Sequence, residues 1–148
     1  DGRVYRTAST DLGRSWSAPT ETNLPNPNSK VTAIVLSNGH IAACYNAHSR
    51  KDFNGVRSHL YVATSADEGL TWNLLVKLET ATSLGRLYHY PTMLQRGCTL
   101  LVVYTAGFRE AGPGSSLNTR EPYGAPEGLK AGIKIAHIEL LFGETKGR

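Results

Sequence analysis

Apolar and polar positions alternate along the chain in short runs, the period-two signature of half-buried strands. Residues 30–37 are rich in β-branched side chains, Asn38-Gly39 supplies a two-residue hairpin signal, and residues 40–47 return. Further strands are expected over 59–64 and 73–78, then over 90–94 and 98–105 around a turn at Arg96-Gly97. A last strand is expected over 133–140, and two earlier ones over 4–9 and 17–22. No useful apolar stripe recurs at the helical period, so helices are minor. The expected class is all-β.

One short pattern occurs twice. Ser9-Thr10-Asp11-Leu12-Gly13-Arg14-Ser15-Trp16 and Ser65-Ala66-Asp67-Glu68-Gly69-Leu70-Thr71-Trp72 share S-x-D-x-G-x-[ST]-W, with a period of 56 residues. Each copy reads as a tight turn in which Asp bonds backbone amides, Gly takes a positive φ and Trp packs under the loop. Ser9, Asp11, Gly13, Trp16, Ser65, Asp67, Gly69 and Trp72 are therefore expected to be structural. Four short strands per roughly 50 residues, repeated, is the arithmetic of a β-propeller blade. On that count residues 1–22 end one blade, 30–78 make a full blade, and 88–140 make an incomplete last one with a long inserted loop over 107–131. Two to three blades cannot close a ring, which at this period takes about 220 to 450 residues. The chain is thus expected to be the C-terminal portion of a larger propeller, completed by an N-terminal half.

Composition narrows the function classes. Lys and Arg number 16 against 12 Asp and Glu, giving a net charge of +4 over 148 residues. The basic residues are scattered and do not cluster with aromatics, which argues against a nucleic-acid partner. An anionic small molecule is compatible with this balance. No stretch approaches about 18 uninterrupted apolar residues, so no membrane span is expected. Cys44 and Cys98 are too few for a disulfide framework, and each sits in an apolar run that suggests a small buried hydrophobe. These lone cysteines and the lack of an N-glycosylation sequon lean toward an intracellular setting. The five histidines show no ligand spacing, so neither a metal nor a cofactor is expected.

The doubled box resembles the repeat of bacterial neuraminidases, and the chain resembles the C-terminal part of a sialidase-superfamily six-bladed propeller. Leu24-Pro25-Asn26-Pro27-Asn28-Ser29 is similar to an L-P-N-P-N-S segment of that family. Leu87-Tyr88-His89-Tyr90-Pro91 resembles its Y-S-Y-P segment, with His89 in place of serine, and residues 133–139 resemble its closing I-K-H strand. The resemblance implies a retaining glycoside hydrolase acting on terminal sialic acid or a related acidic sugar. It also implies a tyrosine nucleophile with a glutamate partner, an aspartate acid/base and three arginines around the sugar carboxylate. A guanidinium suits that carboxylate because its planar fork bonds both oxygens. A phenol suits the nucleophile because a carboxylate would be repelled by the one already on the anomeric carbon.

Carried over residue by residue, the resemblance assigns Tyr88 as candidate nucleophile, with Tyr90 as its rival, and Arg57 as candidate carboxylate clamp. Tyr90, Asn26 and Asn28 are the further candidates for substrate binding. Arg3 and Arg6 lie near a strand that could carry another arginine, without the expected spacing. The aspartate, the glutamate and two arginines have no clear counterpart, so the chain by itself is expected to lack turnover. Strand parity places Arg57, Tyr88 and the Asn26–Ser29 loop on one face, and the boxes with Asn38-Gly39 on the other. A non-catalytic propeller that binds glycan or protein is the alternative, motivated by His89 and the long insertion.

Overall fold

A computed structural model describes residues 2–49, 51–52, 57–80, 86–108 and 131–141, and the insertion expected over 107–131 lies almost wholly outside them. The described residues form nine strands: β1 (Arg3–Arg6), β2 (Thr20–Pro25), β3 (Thr32–Val35), β4 (Ile41–Asn46), β5 (His59–Ser65), β6 (Asn73–Thr80), β7 (Arg86–Arg96), β8 (Thr99–Phe108) and β9 (Gly132–Glu139). They build three antiparallel sheets, β1-β2, β3-β4-β5-β6 and β7-β8-β9. No helix among the described residues is long and apolar enough to cross a membrane. The described residues are thus all-β, and no closed ring of sheets is seen among them.

The middle sheet is covered on both faces. On one, Ala42, Cys44, Leu60 and Val62 pack against Tyr88, Met93, Leu100, Val102 and Tyr104 of the third sheet. On the other, Ala43, Tyr45 and Ala63 meet Leu24 of the first sheet, with Val4 and Trp72 at the margin. Double coverage explains why β4 reads as a nearly continuous apolar run instead of a clean alternation. Alanines at 42, 43 and 63 let the neighbouring sheets approach closely. Cys44 is fully buried, and burial pushes its thiol up to about 12. Cys98 is exposed, against expectation, because it sits in the β7–β8 turn, one residue beyond Gly97 at φ +57°.

β7 extends further than its sequence suggests. Pro91 interrupts the expected pattern, yet the strand runs through it because the β7–β8 register shifts between His89 and Thr92. A bulge on an edge strand is one of the few places in a sheet that tolerates proline.

Both boxes have the same internal wiring. Ser15 N–H and Thr71 N–H each donate to Oδ1 of their own aspartate at 2.9 Å, while the Ser15 and Thr71 hydroxyls donate to Oδ2. Ser9 and Ser65 hydroxyls accept from the Gly13 and Gly69 amides at 2.8 Å. The Ser15 and Thr71 hydroxyls, and then their amides, hold Asp11 and Asp67 at about 2, well below the usual carboxylate range. Leu12 and Glu68 share the left-handed region with the glycines that follow them (φ 61° and 83°, 58° and 84°), so each turn tip is a double left-handed corner. The glycine matched expectation; the left-handed residue before it carries no sequence signal.

The tryptophans part company. Trp72 is half-buried against the cluster between the first two sheets, with its indole N–H on Gly69 O at 3.1 Å. Trp16 makes the equivalent bond to Gly13 O, but the residue is 62% exposed. Its expected burial is corrected: the groove that receives Trp72 is formed by an adjacent sheet, and among the described residues no sheet flanks Trp16 in that way.

Side chains also tie sheet to sheet. Asn23 of β2 donates to Trp72 O and accepts from Trp72 N–H, and Arg6 Nε donates to Glu68 O at 2.8 Å. Gln95 of β7 accepts from Ser37 N–H and donates to Ser37 Oγ, both at 2.8 Å.

Candidate functional site

The loop after β2 is built by Asn26. Its Oδ1 accepts from Ser29 N–H at 2.7 Å and its Nδ2 donates to Ser29 O at 3.0 Å, closing a compact Asx-type turn. That closure puts Asn28 in the left-handed region at φ 68° and leaves it exposed. Arg57, at the entry to β5, reaches across to it, with Nη2 3.5 Å from Asn28 O. The same guanidinium lies over the Tyr90 ring, with Cζ 5.5 Å from the centroid, in cation–π geometry. Asn28, Arg57 and Tyr90 thus come from three different sheets or their loops and meet at one end of the molecule. The boxes and the Asn38-Gly39 turn lie at the other end, as strand parity requires.

Tyr90 is presented by the bulge. Its φ of +54° is unusual for a bulky residue, and more so before Pro91, which favours an extended predecessor. The strained backbone leaves the residue 55% exposed, while His89 beside it is buried. The two rings stand perpendicular, 4.6 Å apart. Burial, and then the Arg57 charge, lower the His89 pKa and so favour its neutral imidazole.

Tyr88 is placed differently. Its backbone N–H donates to Arg57 O at 2.7 Å, so the main chain belongs to the site. Its ring points between the second and third sheets and the residue is only 6% exposed. There it stands edge-on to Tyr104, 6.4 Å away, with Lys134 Nζ 5.6 Å from its centroid. Tyr104 OH donates to Glu79 Oε1 at 2.7 Å, and Lys134 Nζ bonds the same oxygen. Burial first, and Glu79 second, raise the Tyr88 pKa. Glu79, Tyr104 and Lys134 carried no signal by themselves in the sequence. The β8–β9 register, which pairs Tyr104 with Lys134, is what assembles them.

Arg3 and Arg6 are engaged elsewhere, Arg3 on Asn23 O and Arg6 on the second box. An open apolar cleft of about 700 Å³, lined by Ile34, Val35, Leu36, Met93, Leu94 and Cys98 among others, lies at the box end, away from Arg57. No group of three or more His, Cys, Asp or Glu suited to a metal occurs among the described residues.

Chemically, the Asn28–Arg57–Tyr90 face offers a guanidinium, an aromatic ring and polar backbone. Such groups are chemically suited to a carboxylate and to the apolar face of a ring.

No curated protein and no solved structure matches the chain. The family description of the BNR repeat-like domain matches residues 1–103, a span that takes in both boxes, Arg57, Tyr88 and Tyr90. With well over half its length matched, the chain belongs to the BNR repeat-like domain family.

Proposed function

We propose that this chain forms part of the acidic-sugar site of a sialidase-like propeller, completed by further blades outside residues 1–148. The observation that carries the reading is the Arg57–Tyr90 pair on an exposed face, with the guanidinium stacked over the ring. Arg57 pairs with the carboxylate of a terminal sialic acid or related sugar, and Tyr90 presents its ring and hydroxyl to the same sugar. Asn26 shapes the loop, and Asn28 anchors the guanidinium through its carbonyl.

In the hydrolase form of this reading a phenol attacks the anomeric carbon while an acid protonates the leaving oxygen. Tyr90 has the access that attack requires, while Tyr88 has the carboxylate neighbour, Glu79, but an enclosed ring. That enclosure favours a second reading, in which the propeller binds an acidic glycan without cleaving it.

One experiment separates the readings. In the intact protein, binding of N-acetylneuraminic acid and turnover of a fluorogenic sialoside are measured for the wild type, Arg57→Ala, Tyr88→Phe and Tyr90→Phe. Binding lost in Arg57→Ala supports the site, and turnover lost in one of the two phenylalanine variants identifies the nucleophile. Binding without turnover selects the glycan-binding protein. Affinity that is equal for N-acetylneuraminic acid and neutral galactose, or is untouched by Arg57→Ala, refutes the site.

A further inference from the structure

The Arg57–Tyr90 pair joins two chain segments that no strand ladder connects. β5 belongs to the middle sheet and β7 to the third. Beneath them lies Asn46, the last residue of β4, with no exposed surface at all. Its Nδ2 spends both protons on these segments, one on His59 O at 3.0 Å and the other on Tyr88 O at 2.9 Å. Two carbonyl acceptors fix which end of the carboxamide is nitrogen.

Tyr88 is consequently gripped on both sides: its N–H on Arg57 O, its carbonyl on Asn46. Two residues further on, Tyr90 adopts its left-handed, pre-proline backbone. Such a conformation persists only where the surroundings over-determine it. Asn46 Oδ1, meanwhile, is buried with no hydrogen-bond partner among the described residues. A carboxamide with an unpaired oxygen is a poor stabiliser of a core. Its two donors are spent where they set the relative position of Arg57 and Tyr90.

We propose that Asn46 is a positioning residue: it locks the 57–59 and 88–90 segments together so that the Arg57 guanidinium sits over the Tyr90 ring. The proposal rests on the acidic-sugar reading for its functional meaning, but the lock itself is measurable without ligand. A guanidinium stacked on a ring has its Nε–Hε resonance displaced by ring current. In the intact, isotope-labelled protein, Tyr90→Leu identifies that displacement.

The test compares Asn46→Ala and Asn46→Ser with Leu100→Ala, a fully buried core truncation at the other end of the third sheet. Asn46→Ala is expected to abolish the Arg57 displacement and weaken N-acetylneuraminic acid at least tenfold. Asn46→Ser, which keeps one donor, recovers part of both. Leu100→Ala lowers the melting temperature by as much or more and leaves both readouts in place. Should Asn46→Ala not fold, the serine variant decides alone through the Arg57 resonance. An Arg57 resonance unchanged in the Asn46 variants, or equally disturbed in Leu100→Ala, overturns the proposal. A wild type that binds no N-acetylneuraminic acid but shows the Asn46-dependent displacement refutes the sugar reading and leaves the lock standing.

Discussion

Asn23 and Trp72 pair as two strands would. The Asn23 carboxamide donates to Trp72 O at 2.9 Å and accepts from Trp72 N–H at 3.1 Å, joining β2 to the box of the next sheet. Asn23→Ala removes both bonds and is expected to lower stability by about 1–2 kcal/mol, the cost of two solvent-accessible hydrogen bonds. Asn23→Asp keeps the acceptor but sets a carboxylate oxygen against Trp72 O, and should cost at least as much. Urea denaturation with a common slope measures both; a change indistinguishable from zero for Asn23→Ala would show that the latch is ornamental.

The two tryptophans should separate in the same assay. Trp72→Ala is expected to cost about 2–3 kcal/mol, below the full range for a wholly buried aromatic, because the residue is only half-buried. Trp16→Ala should cost less than about 1 kcal/mol, since most of its surface already faces solvent. Equal losses at the two sites would mean that another sheet covers Trp16.

The boxes make the fold acid-sensitive in a narrow window. Asp11 and Asp67 are depressed from 3.8 to about 2, chiefly by the hydroxyls of Ser15 and Thr71. Carboxylates depressed in the folded state contribute stability that is fully present above about pH 4 and lost as pH falls toward 2. Thr71→Val should bring the Asp67 titration, followed by carboxyl NMR shifts, back toward 3.8. An Asp67 that still titrates near 2 in Thr71→Val would assign the depression to the backbone amides instead.

Glu79 gathers Tyr104 and Lys134 between β6, β8 and β9. Tyr104→Phe leaves that carboxylate one donor short in a half-buried place and should destabilise by about 1.5–3 kcal/mol. Lys134→Met removes an ammonium that is itself half exposed, and should cost less. Thermal melts of the two variants check the order, and a larger loss for Lys134→Met would reverse the reading of this cluster.

Much of the fold was legible because its signals are local. Asn38-Gly39 and the boxes announce hairpins through backbone chemistry that a few residues fix unaided, and the 56-residue recurrence of the box exposes the repeat. Strand parity, which assigns loops to one end or the other, also put Arg57, Tyr88 and the Asn26–Ser29 loop at one end, but it does not tell which tyrosine ring faces out. What escaped depends on register. The direction of the Tyr88 ring is set together with the bulge between His89 and Thr92, and a one-residue shift exchanges the faces of a strand. Pro91 marks the spot but does not reveal which ring turns outward. The Glu79 cluster needed the β8–β9 pairing, and the lock at Asn46 needed the approach of two sheets, neither of which leaves a trace in a linear pattern.

Three carboxamides, Asn23, Asn46 and Gln95, tie neighbouring sheets together through their side-chain hydrogen bonds. Their weakness is chemical ageing, because side-chain amides hydrolyse slowly, and faster when hot. Deamidation of Asn23 would turn its donor into an oxygen facing Trp72 O, replacing an attraction with a repulsion without breaking any ladder within a sheet. An aged sample would then keep its strand content while its sheets loosened against one another. Storage history, read as one added negative charge per event, would therefore show first in the seams between the sheets.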